Sequence, residues 1–212
     1  ERNDNYLKSN FLKKWLIKLI YNNSLFVLPV RFNLESQLLN FFPKISSFVI
    51  PNVVDPILFF YSTNSQNSDS FHFVHVSSLG LLKNPMIILK VFVGLLIKHR
   101  NISLDIVGPI NDDFLNEFEK LDHGKDKINL VGQIEHHEVA DKLRMANAFV
   151  LFSSSENLPC VIAESLCCGV PVISSSVGGI PEMVNNSNGI LVPPGDEDAL
   201  SKAMEDMILN YS

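Results

Sequence analysis

From Phe71 onward, short apolar runs alternate with helical ones without a break. FHFVHV at 71–76, ISLDIVG at 102–108, KINLVG at 127–132, AFVLFSS at 148–154, PVISSS at 171–176 and the run at 190–192 read as strands, rich in β-branched and aromatic residues. Helical patterns fill 85–99, 112–121, 136–146, 159–168 and 197–209. Pro85 opens the first, where a missing N–H is tolerated, and Gly169 closes the fourth. Strands that are apolar along their length are buried on both faces. Alternation of such strands with helices requires a parallel sheet covered on both sides, a doubly wound α/β domain. Ligands meet these sheets beyond the carboxyl ends of the strands. The loops 77–84, 108–112, 132–135 and 153–159 are therefore where a site is expected.

The first 70 residues follow another plan. Within 5–20, Leu12, Trp15, Leu16, Leu19 and Ile20 form a helical stripe with lysines opposite. Such a helix packs on a sheet or lies on a membrane surface, and the pattern alone leaves both open. Strands are expected at 24–29 and 47–50, and a helix at 33–42 with Asn33 as its N-cap. Pro51 and Pro56, then the polar run 62–70, interrupt regular structure. Residues 51–70 are thus expected to link a first unit, 1–50, to a domain at 71–212.

Of the 212 residues, 46% are hydrophobic, enough for a sizeable core. The net charge of -6, with no long basic run, argues against nucleic acid or an anionic membrane as the main partner. Three cysteines, with Cys167 and Cys168 adjacent in an apolar helix, suit a reducing cytosol better than a disulfide framework. No uncharged apolar stretch approaches the ~20 residues of a membrane span. The start, ERNDNYLKSN, has no initiator Met and no signal-peptide shape, and reads as the interior of a longer chain.

Neither GxGxxG nor GxxxxGK[ST] occurs, which disfavours a dinucleotide or P-loop site. Lys83 stands just before the helix at Pro85. It is either a solvated surface lysine or a cation beside free amide donors, an arrangement suited to phosphate. The loop 154–159 also leads to a helix N-terminus, at Cys160. Glu156 in that loop and Glu164 in the helix are separated by seven residues. They are either exposed charges or acceptors for vicinal hydroxyls, as on a ribose or sugar. Gly178-Gly179 permits close approach or positive φ, or is an ordinary turn. His72 and His75 are expected in the core or at an edge, and His136-His137 at an exposed helix start. Cys160 is expected as a small buried side chain, and no Cys/His/Asp set has zinc spacing.

Together these segments resemble the C-terminal half of a retaining glycosyltransferase with two Rossmann-like domains (GT-B), of group 1 or family four. SENLPCVIAESLCCGVPVISSSVGGIPEMV at 155–184 is similar to the family's Ser-Glu, Glu-Ala, Gly-x-Pro-Val and Gly-Gly-x-x-Glu series. GILVPPGD at 189–196, LVGQI at 130–134 and ANAFVLFSS at 146–154 are also alike. PNVVD at 51–55 resembles an interdomain Pro-Asn-Gly-Val-Asp, with Val53 where glycine is common.

The resemblance implies a nucleoside diphosphate sugar as donor substrate, UDP- or GDP-linked, with no cofactor and no metal. Glu164 would bind the ribose hydroxyls, and Glu156 would orient the transferred sugar. The backbone of Leu158, Pro159 and Cys160 would approach that sugar, and that of Val161 and Ile162 the diphosphate. Lys83 would neutralise the leaving diphosphate, and Ile134, after Gly132, would meet the base. The family often carries Arg where Ser78 stands, five residues before Lys83, so one diphosphate cation is lacking. The acceptor, a saccharide or lipid-linked sugar, belongs to a preceding domain of which 1–50 looks like a remnant. The implied protein is a hexosyltransferase type of polysaccharide biosynthesis, cytoplasmic or peripheral at the membrane, and the piece alone is expected to be inactive. A non-catalytic nucleotide-binding or interaction module derived from a transferase is the second expectation.

Overall fold

The computed structural model describes residues 10–62 and 70–210. The chain forms two compact units, Glu1–Asn52 and Val53–Ser212.

In the first unit, α1 (Phe11–Asn22) is capped by Asn10, whose side chain accepts the Lys13 amide at 2.9 Å. The helical pattern expected at 5–9 lies outside the described residues. Helix α2 (Phe32–Phe41) starts from the extended Arg31. Asn33 is therefore inside the helix and not its cap, and its side-chain oxygen accepts from Gln37 one turn on. The strands expected at 24–29 and 47–50 reduce to one parallel bridge between Val27 and Ser47. Two short segments without a third strand among the described residues cannot sustain a ladder. Aromatic stacking of Tyr21 on Phe42, at 4.5 Å, and a Ser47–Glu35 hydrogen bond supply the packing instead.

The second unit is a six-stranded parallel sheet: β1 (Phe71–Val76), β2 (Ile102–Val107), β3 (Ile128–Gly132), β4 (Ala148–Leu151), β5 (Val172–Ser175) and β6 (Gly189–Val192). Their spatial order is β3-β2-β1-β4-β5-β6. Five helices connect or follow them: α3 (Pro85–Leu95), α4 (Asp112–Glu119), α5 (His136–Met145), α6 (Cys160–Cys167) and α7 (Glu197–Asn210). Side chains alternate between faces, so neighbours in one strand enter different cores. Phe73 packs with Phe92 of α3, Phe114 of α4 and Met204 of α7. Val74 packs with Leu143 of α5 and Ile162 of α6 on the other side.

Of the expected linker 51–70, the stretch 53–62, which belongs to the second unit, is not a free connection. Phe59 is 1% exposed within the α5–α6 core. Arg144 donates to the Leu58 carbonyl at 2.7 Å and lies 4.6 Å from the Phe60 ring. A Cβ at Gly169 would meet the Tyr61 ring at 2.4 Å. Burial of aromatics outweighs the freedom of a loose strand of chain here. Residues 63–69, the middle of the expected polar run, lie outside the described residues.

Two polar clusters hold the layers. Asp105 of β2 accepts from Lys142 of α5 at 2.7 Å and from Asn129 of β3 at 3.2 Å, and His72 stands 3.6 Å away. Burial pushes this carboxyl up, but the nearby His72 imidazole and the Lys142 hydrogen bond outweigh it and hold the group down at about 2. His75, as expected of a core histidine, is fully buried. Its Nδ1 must donate to the Val150 carbonyl at 2.8 Å, which fixes the neutral tautomer. Nε2 then accepts from Ser77 at 2.8 Å, and Ser77 Oγ accepts the Leu79 amide at 3.0 Å. Burial lowers this imidazole from 6.5 to about 4, with Lys83 adding to the effect against the Val150 bond.

As pH falls, the unfolded chain protonates His75 near 6.5, whereas the folded chain resists until about 4. Stability is therefore full above 6.5 and falls between those values, by about 3 kcal/mol in all. Urea denaturation across this window should show that slope, and His75→Gln should flatten it while lowering stability at every pH.

Candidate functional site

The strand order reverses between β1 and β4: β2 and β3 lie to one side, β5 and β6 to the other. Loops leaving two such strands depart toward opposite faces and open a crevice at their carboxyl ends. Here they are 77–84 and 152–159.

Hydrogen bonds zip the two loops together. The Ser154 amide donates to the Leu82 carbonyl at 2.8 Å. The Asn84 side chain donates to the Phe152 carbonyl at 3.1 Å and to Ser154 Oγ at 2.8 Å. Asn84 itself sits at φ 47, a left-handed conformation that asparagine tolerates better than most residues. It joins the 3-10 turn Leu81–Lys83 to α3. Sequence reasoning missed Asn84, although an Asn immediately before a helix-opening proline is a turn signal.

Across this zipper, Lys83 Nζ lies 2.5 Å from Glu156 Oε1, and Ser153 donates to the same oxygen at 2.7 Å. The Glu156 side chain is only 7% exposed. A carboxylate buried to that degree is held only with its charge paired. Of the two readings of Lys83, solvated lysine or phosphate cation, neither describes this geometry fully: its charge is committed to Glu156. Ser78, five residues earlier, is exposed.

Gly178 fixes the Glu156 loop from behind. A Cβ there would stand 1.9 Å from the Glu156 carbonyl oxygen, and φ is +60. The Gly179 amide donates to the Asn157 carbonyl at 2.7 Å. The Gly-Gly pair thus combines positive φ with close approach.

Helix α6 begins after Pro159 without a side-chain cap. Of the five residues expected to offer backbone contacts, Pro159 has no N–H, and the Ile162 amide is bonded to the Pro159 carbonyl at 3.2 Å. The Leu158 and Ile162 side chains are buried in the core. Cys160 and Val161 are left as the first-turn donors. Cys160 is exposed, contrary to expectation, because it precedes the buried residues of α6, which begin at Ile162.

Glu164, one turn further, is 9% exposed. Its Oε1 lies 3.1 Å from Nε2 of His136, the first residue of α5. The burial of both glutamate side chains overturns their reading as exposed charges. His136 is exposed at a helix start, as expected, but its contact with Glu164 was not foreseen. The signal available was its place directly after the 132–135 loop. Gly132, at φ +82, turns the chain out of β3, and Ile134 packs against the α5–α6 core. The two glutamates therefore belong to separate clusters, one with Lys83 and Ser153, the other with His136. Among the described residues no group of three His, Cys, Asp or Glu side chains is placed to hold a metal ion. One cation, first-turn amides and two held carboxylates suit a ligand that is anionic at one end and hydroxylated at the other.

Gly195 has φ +78 with nothing near its Cβ position, so Gly195→Ala reports the conformational penalty alone, about 1–2 kcal/mol. Gly178→Ala should add roughly 1–3 kcal/mol of overlap on top of that. Urea unfolding of the two variants checks the difference.

Residues 62–212 match the model of the family "Glycosyl transferases group 1". D-inositol 3-phosphate glycosyltransferase of Paenarthrobacter aurescens is 29% identical over 151 residues, which cover 66% of this chain and 36% of that protein. Among solved structures, sucrose-phosphate synthase from Thermosynechococcus elongatus aligns with a TM-score of 0.78 at 23% identity, over 96% of this chain and 54% of that one. Anabaena Alr3699/HepE in complex with UDP aligns with a TM-score of 0.76 at 20% identity, over 91% of this chain and 56% of that one. The chain thus spans about a third of that curated relative and about half of each structure. The structural likeness establishes the α/β fold, a six-strand parallel sheet flanked by helices, as that of GT-B glycosyltransferase structures. Because the family match runs from before β1 to the end of the chain and takes in Lys83, Glu156 and Glu164, the chain belongs to the glycosyl transferases group 1.

Proposed function

We propose that Val53–Ser212 is the donor-binding part of a hexosyltransferase that moves a sugar, with retention, from a nucleoside diphosphate sugar to a saccharide or lipid-linked acceptor. The observation that carries the reading is Glu164: an acceptor-only group, buried at the switch point, one turn behind the amides of Cys160 and Val161. The amides suit a diphosphate and the carboxylate suits the ribose hydroxyls. The UDP complex of the Anabaena neighbour supports this class of ligand.

In this reading the leaving diphosphate draws on Lys83, which then divides its charge between the phosphate and Glu156. Glu156, steadied by Ser153, turns its remaining lone pairs to the sugar hydroxyls. Gly132 and Ile134 line the way to the base. Stabilising charge as it develops on the leaving group is the main service such a site renders, and with Ser78 in place of a second cation, Lys83 carries more of it. No metal enters this scheme. Acceptor recognition is assigned to protein outside Val53–Ser212, so that unit by itself binds donor without turnover. No helix among the described residues is long and apolar enough to cross a membrane. We place the protein in the cytoplasm, working on polysaccharide precursors, with peripheral membrane contact through its first domain. The Lys83–Glu156 pair together with Ser78 favours one other reading, a nucleotide-binding module without transfer, which a transfer assay on the complete gene product distinguishes.

Titration calorimetry of the chain with UDP and GDP tests the reading. One of them should bind, and Glu164→Gln should weaken it about 10- to 100-fold, the worth of a hydrogen bond to a charged group. Unchanged affinity would sink the assignment. Lys83→Gln should weaken the nucleoside diphosphate more than the monophosphate, since the lysine is assigned to the terminal phosphate.

A further inference from the structure

We propose that His136 is a positioning residue for Glu164, fixing the carboxylate in the orientation that receives the donor's ribose hydroxyls. The proposal rests on the donor-site reading above and adds a residue to it.

A carboxylate only accepts, so Nε2 of His136 carries the hydrogen of the 3.1 Å contact with Glu164 Oε1. Among the described residues this imidazole is the one polar side chain bonded to Glu164. Without it the glutamate would turn about three side-chain bonds, and a ligand would have to stop that motion on binding. The histidine occupies one lone pair and leaves Oε2 and the rest of Oε1 to accept from vicinal hydroxyls.

His136 is itself held, although 62% of its side chain is exposed. Phe59, 1% exposed, meets the imidazole edge-on with ring centroids 4.9 Å apart. A reciprocal capping box between Glu135 and Glu138 sets the start of α5 and so the place of His136. Further along the same helix, Lys142 is anchored to Asp105 at 2.7 Å. Phe59 and Glu164 are the ring's two contacts and α5 fixes its backbone, so the imidazole holds the buried glutamate beside it. The support also reaches back to the segment before β1. Residues 58–60, which supply Phe59, are gripped by Arg144 of α5.

The test uses the whole chain and calorimetry with UDP, GDP and their 2′,3′-dideoxy counterparts. His136→Ala should weaken the ribonucleotide about three- to tenfold. His136→Gln should restore affinity to within about twofold, because its amide nitrogen sits where Nε2 does, while His136→Asn, too short to reach, should behave like the alanine variant. The alanine penalty should vanish with the dideoxy nucleotide and in a Glu164→Gln background, which a general loosening of the fold would not produce. Thermal melts of all variants report folding. If Glu164→Gln weakens binding and His136→Ala does not, the positioning role is wrong and the donor site stands. The same follows if the alanine penalty persists with the dideoxy nucleotide. If Glu164→Gln has no effect, or neither nucleotide binds, the donor reading fails and the positioning role with it.

Discussion

The parallel pairing of β1 with β4 is the constraint on which the rest depends. In sequence these strands are separated by β2 and β3, so the chain must cross back over the sheet to place them side by side. That crossing sends α3 to one face and α5 and α6 to the other, and it leaves a crevice where the loops part. His75 of β1 ties the junction by donating to Val150 of β4, and the same imidazole accepts from Ser77 at the mouth of the crevice. A fully buried side chain thereby joins the sheet's central seam to the shape of its ligand loop.

Electrostatics refine what topology opens. The crevice holds few charges, and those buried in it are paired. Glu156 is neutralised by Lys83 and braced by Ser153, and Glu164 accepts a hydrogen bond from His136. Leaving either carboxylate alone at such burial would destabilise the fold. The pairing that keeps the site folded is the pairing a ligand must share. The proposed donor chemistry follows from that exchange: hydroxyls take up the spare lone pairs, and phosphate competes for the lysine.

The layout of strands and helices was legible because periodicity and punctuation agreed. The runs around Phe73, Leu104 and Phe149 are predominantly apolar, and Pro85 and Gly169 mark helix ends where the structure has them. Reading failed where a segment's fate depends on its neighbours. The short runs at 24–29 and 47–50 have strand-like residues but only one bridge to share. Residues 51–62 look like a linker by Pro51 and Pro56, yet Phe59 is buried in the core with residues of α5 and α6. Cys160 looked like a core residue until its place at the head of α6 exposed it.

For the site, sequence by itself determined the family and the α/β plan and pointed to the loops where a site is expected, because residue type, spacing and turn glycines are local properties. It also singled out Lys83, Glu156 and Glu164. Only the tertiary structure decided their partners. Lys83 and Glu156 come from loops 73 residues apart, and His136 and Glu164 from helices 28 residues apart. Side chains that distant in the chain meet only through packing of the sheet and its helices, and one-dimensional spacing carries no record of that packing.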